Sequence, residues 1–158
     1  MRIVSGGQSG VDRAALDVAI EHGLPYGGWC PRGGWAEDMP DPPGLLARYP
    51  ELRETPRSEP AQRTRWNVRD SDATLILLAG GAPAPGSGTA LTLALARELG
   101  RPVATVDLDA PGAAVQAAAL LAALPTAGTL NVAGPRESAA PGIHARARAL
   151  LSELLAAR

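Results

Sequence analysis

The stretch Arg2-Ile3-Val4-Ser5-Gly6-Gly7-Gln8-Ser9-Gly10-Val11-Asp12-Arg13-Ala14-Ala15 decides how the rest of the chain is read. A short apolar run ends in a glycine-rich turn, and a helical period begins at once. Val11, Ala14, Ala15, Val18 and Ala19 recur at helical spacing, with Asp12, Arg13, Asp17 and Glu21 on other faces. Gly23 and Pro25 close the helix in the order expected of a C-terminus. Strand, turn and helix in this succession open an α/β domain.

The same unit recurs downstream. Tyr26 to Cys30 reads as a second strand, and a helix over Ala61 to Ser71 leads into a third, Ala73 to Leu78. That third run is apolar throughout, as a parallel strand covered on both faces should be. A second glycine-rich loop, Ala79 to Gly88, precedes a helix from Thr89 to Leu99. Val103 to Val106 and Thr129 to Val132 give the fourth and fifth strands, separated by an alanine-rich helix over Gly112 to Leu124. Ile143, Ala147, Leu150, Leu151, Leu154 and Leu155 stripe a last helix. The expectation is one Rossmann-like, three-layer domain over residues 1–158 with a mainly parallel five-stranded sheet. With the first strand central, the expected order is 2-1-3-4-5. Residues 35–60 carry clustered prolines and no sustained period. They read as a long ordered loop, with one helical turn near Leu45 to Tyr49, that serves as a lid.

Composition excludes several classes of function. A net charge of −1 gives no pull toward nucleic acid or an anionic membrane. No apolar run reaches the roughly 18 residues of a membrane span. Cys30 has no partner for a disulfide, which together with an N-terminus that enters a strand directly points to the cytoplasm. All basic side chains are arginine or histidine, so mechanisms that need a lysine, a Walker-type phosphate loop or a Schiff base, are ruled out.

Two glycine-rich turns after parallel strands should open on the same rim of the sheet, where small molecules bind α/β proteins. Helix starts at Gly10 and at Gly88-Thr89 would present free N–H groups to a phosphate or similar oxyanion. The candidate ligand-binding residues are Gly6, Gly7, Gln8, Ser9, Gly10, Asp12, Arg13, Arg32, Arg63, Asn67, Gly80, Gly81, Ser87, Gly88, Thr89 and Thr92. Arg63 and Asn67 join this set because a spacing of four puts both on one helical face. A dinucleotide fingerprint is incomplete: Ser5 stands in place of its first glycine, and Trp29-Cys30-Pro31-Arg32 ends the second strand where a ribose-binding acid belongs. Asp12, Glu37 and Asp38 are the candidates for a catalytic carboxylate, no metal site is expected, and structural readings stand beside each. Asp12 and Arg13 suit a helix-dipole acid and an ion pair with Asp17, Glu37-Asp38 a solvated acidic pair, Cys30 core packing, and Arg136 to Ser138 a cap for the last helix.

The opening motif, Ser5 to Asp17, resembles that of the putative molybdenum carrier family. Gly28-Trp29-Cys30-Pro31-Arg32-Gly33 with Ala36-Glu37-Asp38, Glu54-Thr55, and Gln62-Arg63-Thr64 with Trp66 to Thr74 match it as well. So do Gly88-Thr89-Ala90-Leu91-Thr92 and Leu130 to Ser138; residues 39–48 match least. The resemblance implies a carrier of molybdenum cofactor, a pterin bearing a phosphate, or of a nucleotide. That family is in turn similar to the Lonely Guy and lysine-decarboxylase-like group, whose hydrolases cleave the base from nucleoside monophosphates. Their motif Pro-Gly-Gly-x-Gly-Thr-x-x-Glu corresponds to Pro85-Gly86-Ser87-Gly88-Thr89-Ala90-Leu91-Thr92, with Arg63 upstream. Thr92 stands where that motif has its catalytic glutamate, so the resemblance implies the phosphate cradle more than the hydrolysis. The function expected is a binding or carrier protein for a phosphate-bearing small molecule; the alternative is a nucleotide-processing glycosidic-bond hydrolase. Relatives in this fold group assemble as homodimers or larger homo-oligomers, and the same is expected here.

Overall fold

The computed structural model describes residues 1–156. Six strands and six helices alternate: β1 (Arg2–Val4), α1 (Val11–Glu21), β2 (Tyr26–Cys30), α2 (Leu45–Arg48), β3 (Leu52–Glu54), α3 (Pro60–Arg69), β4 (Ala73–Leu78), α4 (Gly88–Glu98), β5 (Val103–Asp107), α5 (Ala113–Ala122), β6 (Thr129–Ala133) and α6 (Ile143–Ala156). All strand pairs are parallel, in the order β3-β2-β1-β6-β4-β5.

The α/β class and the parallel sheet match the sequence reading, whereas the strand count and order correct it. The additional strand, β3, lies inside the stretch read as loop and pairs with β2 through Gly28–Leu52, Trp29–Arg53 and Cys30–Glu54. Three residues with one apolar side chain are too short to display a period of two. The second correction is the place of β6, which lies between β1 and β4 instead of at an edge. Its three central residues, Leu130, Asn131 and Val132, are buried, whereas β5 exposes Thr105 and forms the edge. Ser5 secures β6 to β1 by donating its hydroxyl to the carbonyl of Val132 at 2.9 Å.

One face of the sheet carries α1, α5 and α6, and this is where the main core sits. Val11, Ala15 and Val18 meet Ile3, Leu75, Leu77, Leu130 and Val132 there, with Ile143, Ala147 and Leu151 of α6 behind them. The opposite face carries α3 and α4, which pack on each other around Val68, Leu95 and Ala96. A third cluster, around Leu16, Cys30, Leu45, Tyr49 and Leu52, roots the 31–60 segment in the domain. Helices α1 and α4 end alike: Gly23 and Gly100 take φ near +60°, and the next residue returns its N–H to Ala19 and Ala96 respectively, each at 2.8 Å.

Candidate functional site

Because the sheet is parallel, the turns after β1, β4 and β6 open on one rim. Together with α3 they enclose a cleft of about 530 Å³, within the roughly 300–1,000 Å³ usual for small-molecule sites. Of the residues singled out from sequence, Gly6, Gln8, Asp12, Arg63, Asn67, Gly80, Ser87, Gly88, Thr89 and Thr92 line it.

At its centre is a buried ion pair. Nη1 of Arg63 donates to Oδ2 of Asp12 at 2.9 Å, with the two side chains 13% and 7% exposed. Burial pushes the Asp12 carboxyl above its ordinary pKa of 3.8; Arg63 and the amides of Gln8 and Gly134 pull the other way. The Arg63 guanidinium lies against Gly6, where any Cβ would collide with it. Among the described residues its buried Nε has no partner. One turn further along α3, the Asn67 amide clasps the backbone of Trp29, accepting its N–H at 2.7 Å and donating to its carbonyl at 2.9 Å. Asn67 therefore joins α3 to β2 while forming part of the wall.

The α4 end is the open donor surface. Ser87 caps the helix by accepting the Ala90 N–H at 3.1 Å. Among the described residues, no acceptor meets the N–H groups of Gly88 and Thr89. Thr89, 7% exposed, carries a hydroxyl with no partner among the described residues. Thr92 turns its hydroxyl back to the Gly88 carbonyl at 2.9 Å. The loop before α4 is held at its root by Asp107, which accepts the N–H groups of Gly80 and Gly81 at 2.9 and 3.1 Å. Those two amides are thereby already satisfied.

The other helix start is closed. The Val11 N–H donates to the Pro135 carbonyl at 3.2 Å, and Gly10 is pressed against the Pro135–Glu137 backbone. Gly7 packs against Leu45 and Leu52. Gly7, Ser9, Gly10, Arg13, Arg32 and Gly81 do not line the cleft. Arg13 faces away and pairs with Asp38 through two bonds of 2.9 Å, not with Asp17, while its Nε donates to the Gly7 carbonyl. Arg13 holds the Asp38 carboxyl below its ordinary pKa. Asp38 stays exposed at 47% of its side chain but is ion-paired, and Glu37, 21% exposed, is more fully engaged. It accepts the hydroxyls of Ser138 and Ser9 and the Ser138 N–H, all of which favour its ionised form, and it lies 3.6 Å from Arg136. Both carboxylates therefore pin the 31–60 segment to the domain. Cys30 is fully buried, and burial pushes its thiol up to about 11. Glu137 caps α6, accepting the amides of Gly142 and His144.

Sequence reasoning missed Trp35, Asn131 and the turn Gly134-Pro135-Arg136, which also line the cleft. An asparagine at the middle of an apolar strand was the available signal for Asn131. Among the described residues no group of three His, Cys, Asp or Glu side chains is arranged to hold a metal ion, and no helix is long and apolar enough to cross a membrane.

A doubly wound α/β domain with a polar cleft at the strand ends belongs to the broad class of Rossmann-like ligand-binding folds. Within that class the chain belongs to the circularly permutated YpsA SLOG family, which it matches over residues 3–155. It is similar to a solved structure from Syntrophus aciditrophicus described as a putative molybdenum carrier protein. The two share 41% sequence identity over 98% of this chain and 93% of that one, with a TM-score of 0.82. No curated protein matches the chain.

Proposed function

We propose that the protein binds or carries a phosphate-bearing small molecule in the cleft between Arg63 and the start of α4. The observation that carries this reading is the pair of unsatisfied amides at Gly88 and Thr89, beside the free Thr89 hydroxyl. Amides at a helix N-terminus favour an oxyanion through both hydrogen bonding and the helix dipole. The side chains around them suit holding better than turnover. Thr92 has no carboxylate to offer, and Asp12 is tied to Arg63. Glu37 and Asp38 serve the loop.

The similarity to a protein described as a molybdenum carrier makes a pterin phosphate bearing molybdenum one candidate cargo, with a nucleotide the other. A bare metal ion fits poorly, since the lone thiol is buried in the core and no ligand cluster is found among the described residues. Arg63, Thr89 and the α4 amides would hold the phosphate of either cargo. We propose further that the protein acts in the cytoplasm as a homo-oligomer, in line with the resemblance to its fold group.

Native mass spectrometry with molybdenum analysis of freshly purified protein tests the cargo, and calorimetry with nucleoside monophosphates tests the cleft. Gly88→Val is the informative variant: a Cβ there meets nothing within 4 Å, so the fold is kept while the side chain blocks the amides. Binding should fall at least tenfold, a change of about 1.4 kcal/mol. Unchanged affinity would refute the placement, and release of free base at useful rates would replace the carrier with the hydrolase.

A further inference from the structure

Trp35 stands on the cleft wall with 36% of its surface exposed, although it is one of the largest apolar side chains in the protein. Among the described residues its ring meets no other aromatic or cationic group and its indole N–H has no acceptor. Trp29 and Trp66 behave differently, packing edge to face with centroids 4.7 Å apart, and the Trp29 indole donates to Asp70. Nor is Trp35 carried on a loose loop. Ala36 beside it is fully buried, Glu37 and Asp38 are clamped as described, and Gly34 donates its N–H to the Pro31 carbonyl and accepts that of Leu45. The flanking backbone therefore holds a large, unpartnered aromatic side chain at a ligand cleft in advance of binding.

A second observation points the same way. Asn131, 2% exposed, lies in the cleft lining on β6. Its Nδ2 donates to Thr74 at 3.3 Å, and among the described residues its Oδ1 meets no donor. That oxygen is not sealed in the core but stays accessible from the cleft, so a donor on the ligand can reach it.

We infer that Trp35 is the stacking platform for a flat heteroaromatic group of the ligand, a group that also carries hydrogen-bond donors complementary to Asn131. The inference rests on the proposed phosphate site and adds the chemistry of the ligand's other end. It makes Trp35 a specificity residue: it separates a base- or pterin-bearing phosphate from a plain sugar phosphate.

Fluorescence titration of the whole protein tests this with AMP, GMP and a pterin monophosphate on one arm and ribose 5-phosphate on the other. The heteroaromatic probes should quench tryptophan emission and ribose 5-phosphate should not. Trp35→Leu should abolish the quenching and weaken heteroaromatic binding roughly tenfold, leaving ribose 5-phosphate within about twofold. Trp35→Tyr should restore most of the affinity. Equal binding of both probe types, with neither altered by Trp35→Leu, overturns the stacking role while the phosphate site stands. Failure of every probe to bind overturns the phosphate reading and this inference with it.

Discussion

Replacing Arg63 with methionine removes the cation that faces Asp12 while keeping an unbranched chain of similar length. The cost follows from burial. Asp12 is 5% exposed, and its counter-ion lies 2.9 Å away. Removing one partner of a buried pair costs about 3–5 kcal/mol. Here the Gln8 and Gly134 amides remain, and the carboxyl can protonate, so the lower end, about 3 kcal/mol, is expected. In a domain of this size that lowers Tm by roughly 6–12 °C. The pH dependence fixes the cause. Burial already holds the folded pKa of Asp12 above its unfolded value, and without Arg63 it rises further. Such a group contributes stability that is complete below the unfolded pKa and is lost as pH rises through the folded pKa. The deficit of Arg63→Met should therefore be smaller near pH 5 than near pH 7.5, measured by urea unfolding of variant and parent at both. Adding Asp12→Asn to Arg63→Met should recover part of the loss, because no uncompensated carboxylate remains. A deficit below about 1 kcal/mol, or one equal at the two pH values, would refute this account of the pair.

Two further outcomes follow from the closed helix start and the buried thiol. Gly10→Ala should destabilise the fold by about 3 kcal/mol, because φ is +79° and the new methyl meets the Pro135–Glu137 backbone. Gly81→Ala, with φ +70° and open space around its Cβ, should cost only about 1 kcal/mol, and equal losses in thermal melts would remove the packing argument. Cys30, buried and pushed up to about 11, should resist a disulfide reagent near pH 8 until the protein unfolds, and modification of the folded protein at the rate of a free thiol would contradict its burial.

Most elements were legible from period and punctuation. The apolar run Ala73 to Leu78, the Gly23 and Gly100 stops and the stripe on α6 are local signals, and the structure places helices and strands where they point. What sequence could not display was pairing between distant segments. Asp38 reads as a solvated acid until Arg13 meets it across 25 residues, and Glu37 until Ser138 meets it across 101. The same limit applied to the glycine turns. Both have the composition of an anion cradle, but whether an amide is free depends on what packs over it, and Pro135 covers the α1 start while no described residue covers Gly88.

The place of β6 accounts for the larger discrepancy. Alternating strands and helices give no clue that the last strand returns to the middle of the sheet. If β6 and α6 are read ahead of β1, however, the topology becomes regular. The sheet then runs outward from β6 through β1, β2 and β3 on one side, and through β4 and β5 on the other, with α6 packed on α1 as consecutive crossovers should be. That is what circular permutation of a doubly wound domain produces, in agreement with the family description. It also explains the make-up of the cleft. The switch point falls at β6, so the last strand supplies Asn131 and the turn through Arg136 to a site whose other walls come from β1, α3 and α4. The two ends of the chain must therefore meet before the site exists, and the Ser5 hydroxyl bonded to the Val132 carbonyl is one of the contacts that brings them together.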